Sequence, residues 1–501
     1  MKLSSRKIRI FITIFSNLTL RFVIALCGFI ITPLIISHYG SAINGMVSSI
    51  TQFISYLNLV EAGIGGATIA ALYLPLSNKD FNSINSILSS TKHFYIKSGI
   101  LFTTMIIILS IVYPFIISYE IDIFTSFFMV LILGITGTAE FFLIGKYRVL
   151  LTADKKTYVL SFIQIFAILI RTVICFFMIK FDLNILIVKL IYSLTFLSRY
   201  FVIKIYIKRK YKWINFNYIK NNKAISQSKN VLVHEIAGMI VYNSPIIILT
   251  FCCNLKEVSI YAVYAMVFNA IKSFITAFGN GMQSFFGESL IIESLNKTKN
   301  FFSKYQTLFF SILGWFYTMS YILIIPFMKI YTKNMTDANY LQPKLALFFV
   351  IVGILNALRS PEAQLISASG HFKQTQARAI IEAVINLVVS IICTIKFGFM
   401  GVLIGQIVSG IYRTIDMIVY TSNKILHSHF YSTFIKISIY FFIYFILYIF
   451  IKNININPKS YFEWIKIASL LGIYFIIPVF VTFIFQFYNK KKTRKNNAKK
   501  N

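Results

Sequence analysis

Three basic residues lie in the middle of long apolar stretches of this 501-residue chain: Arg21, Arg171 and Lys272. A cationic side chain at the centre of a membrane-spanning helix costs roughly 2.5–3.5 kcal/mol on insertion scales, so its presence needs a reason. Because all three lie too deep to snorkel to the membrane surface, we expect them to face a bundle interior or a wet cavity. Their positive charge suits an anionic cargo better than a cationic one.

Three further basic residues lie closer to the ends of their apolar stretches. Arg413 is followed one helical turn later by Asp416, with which it can pair. Lys189 and Arg199 are near enough to a predicted helix end for their side chains to snorkel. Lys189 is therefore interpreted as structural, whereas a structural and a functional role are both open for Arg413 and Arg199.

Two acidic residues are candidates for a coupling or charge-partner role, together with Asp416. Glu61 opens the small-residue segment Glu61–Ala67, whose glycines are expected to allow close helix packing. Its carboxylate is a candidate partner for Arg21, or a proton or cation site. Glu235 lies in the second half of the chain near the position that corresponds to Arg21 in the first half.

The composition identifies the class of protein. Hydrophobic residues make up 57% of the chain and charged residues only 13%, which excludes an ordinary soluble protein. Apolar runs long enough to cross about 30 Å of hydrocarbon recur throughout, and predict an all-α integral membrane protein with about fourteen transmembrane helices. The predicted spans are 10–36, 42–75, 98–119, 123–146, 158–179, 183–207, 231–253, 257–283, 307–331, 343–368, 376–396, 399–421, 434–452 and 463–487.

The basic residues predict the orientation of these spans. Most of the 49 Lys and Arg residues lie at the two termini and in alternate loops. Because basic loops stay in the cytoplasm, both termini are expected there. The net charge of +33 does not indicate a nucleic-acid partner, since juxtamembrane basic residues orient helices and attract anionic lipid headgroups.

A weak internal repeat divides the chain into halves. Leu151–Ala153 corresponds to Ile366–Ala368, and Lys180–Phe181 corresponds to Lys396–Phe397. A repeat of about six spans predicts two pseudo-symmetric bundles with the transport site between them. The predicted domains are an N-terminal six-helix bundle at 1–210, a basic cytoplasmic linker at 211–230, a C-terminal six-helix bundle at 231–430, two additional helices at 431–489 and a basic cytoplasmic tail at 490–501.

No enzymatic chemistry is expected. The chain contains no Walker, His-Glu-x-x-His or Gly-x-Ser-x-Gly motif, and His427 and His429 have no third metal ligand nearby in the sequence. We therefore predict neither a metal site nor a cofactor. Without a nucleotide-binding motif, transport must draw on an ion gradient, the membrane potential or the gradient of the substrate itself.

Several segments resemble those of the bacterial polysaccharide (O-antigen and capsule) flippases. This family belongs to the superfamily that also contains the multidrug and toxin extruders and the peptidoglycan-precursor flippase. The similarity extends along nearly the whole chain and is most specific over residues 29–160. The segments that carry it are Phe29–Leu34 with Tyr39–Gly40, Leu59–Ala67, Pro75–Asp80 and Arg148–Lys155.

The resemblance implies a substrate, a location and partners. The substrate would be an undecaprenyl-diphosphate-linked oligosaccharide, moved from the cytoplasmic to the outer face of the bacterial plasma (inner) membrane by alternating access. We expect Arg21, Arg171, Lys272 and Arg413 to bind its diphosphate, because guanidinium groups bind phosphate oxygens in a bidentate manner. Membrane lipids, a polysaccharide polymerase and glycosyltransferases are the partners implied. A peptidoglycan-precursor flippase, a drug or cation antiporter and a non-transporting scaffold remain alternatives.

Overall fold

The structure is a computed structural model that describes residues 2–484 except 62–63, 118, 220–228, 281 and 455. The predicted basic tail at 490–501 and part of the predicted linker lie outside the described residues. Every regular element in the described part of the chain is helical. The fold-class prediction of an all-α membrane protein is therefore confirmed.

The chain divides into two compact units, residues 1–266 and 267–501. The boundary falls inside the helix Leu255–Asn280, and polar contacts join the start of this helix and the helix before it to Ser41–Leu57. Asn44 Nδ2 donates to Ser259 Oγ at 2.8 Å, and the Ser49 and Thr250 hydroxyls lie 2.7 Å apart. Helices of the first unit are α1 Lys2–Tyr39, α2 Ser41–Leu57, α3 Ile64–Asn78, α4 Phe81–Ile116, α5 Ile123–Ala139, α6 Gly145–Ala153, α7 Thr157–Lys180, α8 Ile185–Lys210, α9 Lys229–Cys252 and the start of α10 Leu255–Asn280.

The described part of the second unit contains the rest of α10 and eight further α-helices. Two of these helices form an antiparallel hairpin that turns at Gly398, whose φ of 63° is favourable only for glycine. The eight described helices are α11 Met282–Ile292, α12 Leu295–Tyr331, α13 Pro343–Leu358, α14 Ser360–Ala368, α15 Phe372–Phe397, α16 Gly401–Tyr420, α17 Tyr431–Ile451 and α18 Tyr461–Phe475.

The number of helices able to span a membrane agrees with the sequence. Among the described residues, 12 helical segments are long and apolar enough, or 13 if Ser41–Glu61 and Gly65–Asn78 form one bent span. One of the 12 is Phe372–Ile425, which comprises both arms of the hairpin. Counting these arms separately brings the total to about the fourteen predicted, because each arm by itself exceeds the length of a span.

Some helices extend well beyond their apolar cores. The predicted span 98–119 is the second half of α4, which begins at Phe81 after the N-cap Asp80 accepts from the backbone N–H of Ser83 at 3.1 Å. The first turns of α4 bury apolar side chains such as Ile84 and Leu88 together with polar ones such as Asn85, Ser89 and Thr91. The buried polar residues lower the mean hydropathy of this segment, so a hydropathy profile does not extend the predicted span to it.

The first part of the predicted linker packs against this extension. Asn85 accepts from the backbone N–H of Asn215 at 2.9 Å and donates to the carbonyl of Trp213 at 3.2 Å, and the Trp213 and Phe81 rings are 4.5 Å apart. At the end of α8, burial and a hydrogen bond to a carboxylate raise the pKa of Tyr211. The chain after α8 is therefore held on α4 by side chains that bind its backbone.

Candidate functional site

Arg171 lines a cavity of about 320 Å³ inside the first unit. Helices α1, α2, α5, α7 and α8 form its walls. A second arginine, Arg199, lines the same cavity. The remaining lining residues are Ile24, Thr51, Ile54, Leu133, Thr136, Gln164, Ala167, Ile168, Tyr192, Thr195 and Phe196.

The cations at this cavity have aromatic rather than acidic neighbours. The Arg171 guanidinium carbon lies 4.0 Å from the centre of the Tyr192 ring, and that of Arg199 lies 4.6 Å from the centre of the Phe196 ring. Arg199 Nη2 is 3.5 Å from Gln164 Oε1, a long contact. The Nε atoms of both arginines are buried and have no hydrogen-bond partner among the described residues. The cavity therefore contains guanidinium donors that the protein itself does not satisfy.

A third cation, Lys189, lies next to this pair. The structure buries Lys189 to 6% exposure, with Nζ 5.4 Å from the centre of the Tyr192 ring on the side chain's own helix. The expectation that it snorkels to the surface is therefore wrong, because its stem packs inward from the start of α8. Within the described residues none of Arg171, Lys189 and Arg199 forms a salt bridge.

Glu61 has its own cationic partner, and this is Arg148. The two form a salt bridge, Arg148 Nε lies 3.4 Å from Glu140 Oε1, and the Tyr95 hydroxyl donates to Glu61 Oε1 at 2.6 Å. In the described structure Arg21 does not contact Glu61. A Cβ on Gly65 would lie 3.4 Å from Glu61 Oε1, so this glycine leaves room for the carboxylate.

A π-helical turn positions Arg148 for these contacts. The turn, Glu140–Ile144, joins α5 to α6, so the helix continues to Ala153 instead of ending near residue 146. Arg148 lies between the predicted spans 123–146 and 158–179, so the sequence predicts a loop position for it, where its charge has no structural cost. The structure corrects this, since Arg148 lies on α6 and pairs with two carboxylates. A π turn changes the helical phase of the following residues and is often found at functional sites.

We expect Arg148→Gln to lower the stability of the first unit by about 1–3 kcal/mol, because it leaves Glu61 and Glu140 close together without a cation. Replacing Glu61 as well, in Glu61→Gln/Arg148→Gln, should recover part of the loss. The apparent melting temperature of the detergent-purified protein measures both. Lys97→Gln, which removes an exposed cation on α4, is the matched control. Equal melting of Arg148→Gln and Lys97→Gln would contradict a structural ion pair.

Glu235 lies near Glu61 in a second, larger pocket of the first unit. This pocket has a volume of about 600 Å³, and Glu61, His234, Glu235 and Asn243 are among its lining residues. Glu235 is exposed. The structure thus brings together two of the three acidic residues that the sequence proposed for coupling, on α9 and at the end of the 3-10 turn Asn58–Glu61.

Arg413 and Asp416 lie in a buried ionic network of the second unit. Arg413 Nη1 donates to Asp416 Oδ2 at 2.8 Å, which confirms the predicted contact one turn apart. Arg413 Nε lies 3.3 Å from Glu382 Oε2, close enough for an ion pair although its N–H does not point at that oxygen. Arg359 pairs with Glu382 and Arg378 pairs with Asp416. Arg413 is only 3% exposed, and two carboxylates compensate its charge.

The remaining candidates, Arg21 and Lys272, lie on α1 and α10. Arg21 is exposed and forms no hydrogen bond or ion pair with another described residue. Lys272 is half-buried.

Two charged residues that the sequence analysis did not select are deeply buried. Arg359 falls within the predicted span 343–368; it is 7% exposed and donates to Glu382 and to Asn356 Oδ1. Glu362 is fully buried on α14, where Gln306 Nε2 donates to its Oε1 at 2.7 Å. The sequence contained a signal that could have identified Glu362. This residue falls within the apolar stretch 343–368, where a carboxylate needs an explanation, as the carboxylate of Glu382 also does.

Comparison with known proteins shows the fold. No protein-family model matches the sequence, and no curated protein matches it at a significant level. The structure is similar to the lipid II flippase MurJ in an inward closed conformation, with a TM-score of 0.68 and 14% identity, over 95% of this chain and 98% of MurJ.

Two multidrug transporters are also similar. An inward-facing MATE family transporter of the MOP superfamily matches with a TM-score of 0.59 and 12% identity, over 82% of this chain and 98% of its own. The MATE transporter DinF-BH, in complex with R6G, matches with a TM-score of 0.57 and 12% identity, over 84% of this chain and 95% of its own. The chain is therefore a multi-pass membrane protein with the fold that MurJ and these MATE transporters share.

Proposed function

We propose that this protein is a flippase that moves an undecaprenyl-diphosphate-linked oligosaccharide across the bacterial plasma membrane by alternating access. The substrate would be an O-antigen or capsule repeat unit, and both termini would lie in the cytoplasm. The observation that carries the proposal is the positive charge of Arg171 and Arg199, which line one cavity of the first unit, and of Lys189 beside them, since none of the three forms a salt bridge with a described carboxylate. Buried cations without carboxylates suit an anionic cargo.

The extent of the structural similarity supports a flippase. The match to MurJ covers 95% of the chain, whereas the matches to the two MATE transporters cover 82% and 84%. The extra coverage is in keeping with a chain that has helices beyond two six-helix bundles. The sequence segments that resemble polysaccharide flippases, such as Leu59–Ala67, support a glycan repeat unit as the substrate.

Arg21, Arg171, Lys272 and Arg413 are the proposed diphosphate-binding residues, and Glu61, Glu235 and Asp416 the proposed coupling or charge-partner residues. The assignment as a diphosphate-binding residue is supported best for Arg171, which has no acidic partner among the described residues. It is supported least for Arg413, which has two acidic partners. The membrane potential would assist export, since each net negative charge moved outward gains about 2.3 kcal/mol per 100 mV.

Two alternatives rest on specific observations. Similarity to MurJ favours a peptidoglycan-precursor flippase, whose cargo also carries a diphosphate. Similarity to the MATE transporters favours a drug or cation antiporter, for which the pocket lined by Glu61 and Glu235 would be the relevant one. The cationic cavity argues against an organic cation as the principal cargo.

Complementation distinguishes these functions. The chain is expressed in a strain that lacks its O-antigen flippase, and surface polysaccharide is measured with wild type, Arg21→Ala and Arg171→Ala. We expect rescue by the wild type and its loss in both variants at equal membrane abundance. Full activity of both variants would contradict this assignment of the site.

A second strain, conditionally depleted of its lipid II flippase, tests the nearest alternative. Growth of this strain on the wild-type chain, without rescue of O-antigen export, would replace the glycan repeat unit by the peptidoglycan precursor as the substrate. Rescue of neither strain, combined with export of a cationic dye that Glu61→Gln abolishes, would favour the antiporter.

A further inference from the structure

We propose that the cavity of the first unit lined by Arg171 and Arg199 is a binding site for a phosphate-type oxyanion. We call it the cationic cavity. Arg199 and the neighbouring Lys189 would act in it with Arg171, although their positions in the sequence allow both side chains to snorkel. The source of the oxyanion is either the diphosphate of the lipid-linked cargo or free inorganic phosphate. Only the first source rests on the proposed function.

The charge balance of the cavity requires a counter-charge. Three cations lie on α7 and α8, and none of them forms a salt bridge with a described carboxylate. Glu140 also interacts electrostatically with Arg199, but its carboxylate lies within salt-bridge distance of Arg148. Each contact with the Tyr192 or Phe196 ring stabilises the cation by about 0.5–2 kcal/mol. This is less than the cost of placing a cation at this depth. A bound anion would offset the rest of this cost.

The residues that line this space favour an oxyanion. Arg171 and Arg199 both line the cavity, and a guanidinium offers five N–H donors in a planar fork. An anion with several oxygens can accept from both forks at once, which a monatomic ion cannot. The cavity volume of about 320 Å³ equals the share of on the order of ten water molecules, so a phosphate or diphosphate group has room.

One neighbouring side chain allows the charge of the cavity to be changed without changing its shape. Gln164 Oε1 lies 3.5 Å from Arg199 Nη2. Gln164→Glu is nearly isosteric and places a permanent carboxylate beside this guanidinium. If the cavity binds an anion, the new carboxylate competes with it, while the fold gains an ion pair. Loss of binding in a variant at least as stable as the wild type could not be attributed to misfolding.

The experiment measures binding of radiolabelled inorganic pyrophosphate and of inorganic phosphate to the full chain in phospholipid nanodiscs. We expect Gln164→Glu and Arg199→Gln each to weaken binding by at least about tenfold. Arg199→Gln removes a charge-assisted hydrogen bond to the anion, and Gln164→Glu places a carboxylate beside the same guanidinium. Arg209→Gln, which removes an exposed cation near the end of the same helix as Arg199, should leave binding unchanged. The apparent melting temperature verifies that each variant is folded.

Nanodiscs that contain undecaprenyl diphosphate separate the two sources. If this lipid competes with the radiolabelled anion in the wild type but not in Gln164→Glu, the cavity is assigned to the diphosphate of the cargo. Binding of free phosphate without competition by the lipid would keep the oxyanion site and assign it to a soluble anion. Binding of neither anion, or binding that Gln164→Glu and Arg199→Gln leave unchanged, would overturn the proposal. Retained binding together with failed complementation would contradict only the proposed flippase function.

Discussion

Arg413→Met is expected to destabilise the second unit by about 3–5 kcal/mol, the range found when one partner of a buried ion pair is removed. The methionine fills a similar volume but leaves the carboxylates of Glu382 and Asp416 with one fewer cation. Their remaining partners are Arg359 and Arg378. Because the side chains of Arg413, Glu382 and Asp416 are only 3%, 10% and 11% exposed, solvent cannot replace the lost charge.

The measurement is the apparent melting temperature and the yield of monodisperse protein after size-exclusion chromatography. Arg413→Lys keeps the charge without the planar fork, so its melting temperature should lie between those of the wild type and Arg413→Met. Lys424→Met removes an exposed cation close to the same end of the hairpin and is the matched control. A stable, monodisperse Arg413→Met that fails to transport would instead support Arg413 as a diphosphate-binding residue.

Gly405→Ala and Gly410→Ala are expected to have effects of opposite sign, although both add one methyl group to α16. At Gly405 the new Cβ would lie 2.0 Å from Ser390 Oγ and 2.6 Å from the Ser390 backbone nitrogen. The two arms of the hairpin must therefore separate, and overpacking of this kind costs about 1–3 kcal/mol or more. At Gly410 the new Cβ would make an ordinary contact, 3.4 Å from Leu355 Cβ.

Gly410→Ala should therefore be neutral or stabilising by up to about 1 kcal/mol, because alanine is the better helix former. The same thermal assay compares the two variants in one helix. Gly405→Ala should also weaken the network farther along the hairpin, where Glu382 on α15 faces Arg413 on α16. Equal melting of the two variants would show that the arms are not in close contact at Gly405.

The sequence predicted most of what depends on length and hydrophobicity. Membrane spans such as 158–179 and 343–368 agree closely with the helices Thr157–Lys180 and Pro343–Ala368. The reason is physical, because a membrane helix must cover its backbone with about twenty apolar side chains, whatever lies beside it. The contact of Arg413 with Asp416 was predictable for a similar reason, since it is formed within one helix turn.

Helix extensions outside the hydrocarbon were less accessible to sequence reasoning. The π turn at Glu140–Ile144 carries Arg148 to Glu61, and the start of α4 supports the chain after α8. Neither extension has an apolar run long enough to stand out in a hydropathy profile. Their stability comes from packing on neighbouring helices, which a single sequence does not specify.

The sequence establishes that charged groups lie within the apolar stretches of an all-α protein, but helix packing sets which of them are compensated. Arg413, Arg171 and Lys189 are all cations in such stretches. In the structure Arg413 has two carboxylates beside it, whereas Arg171 and Lys189 both lie beside the Tyr192 ring. The reason is that compensation depends on partners from other helices or turns, and the distance between them is set by helix packing.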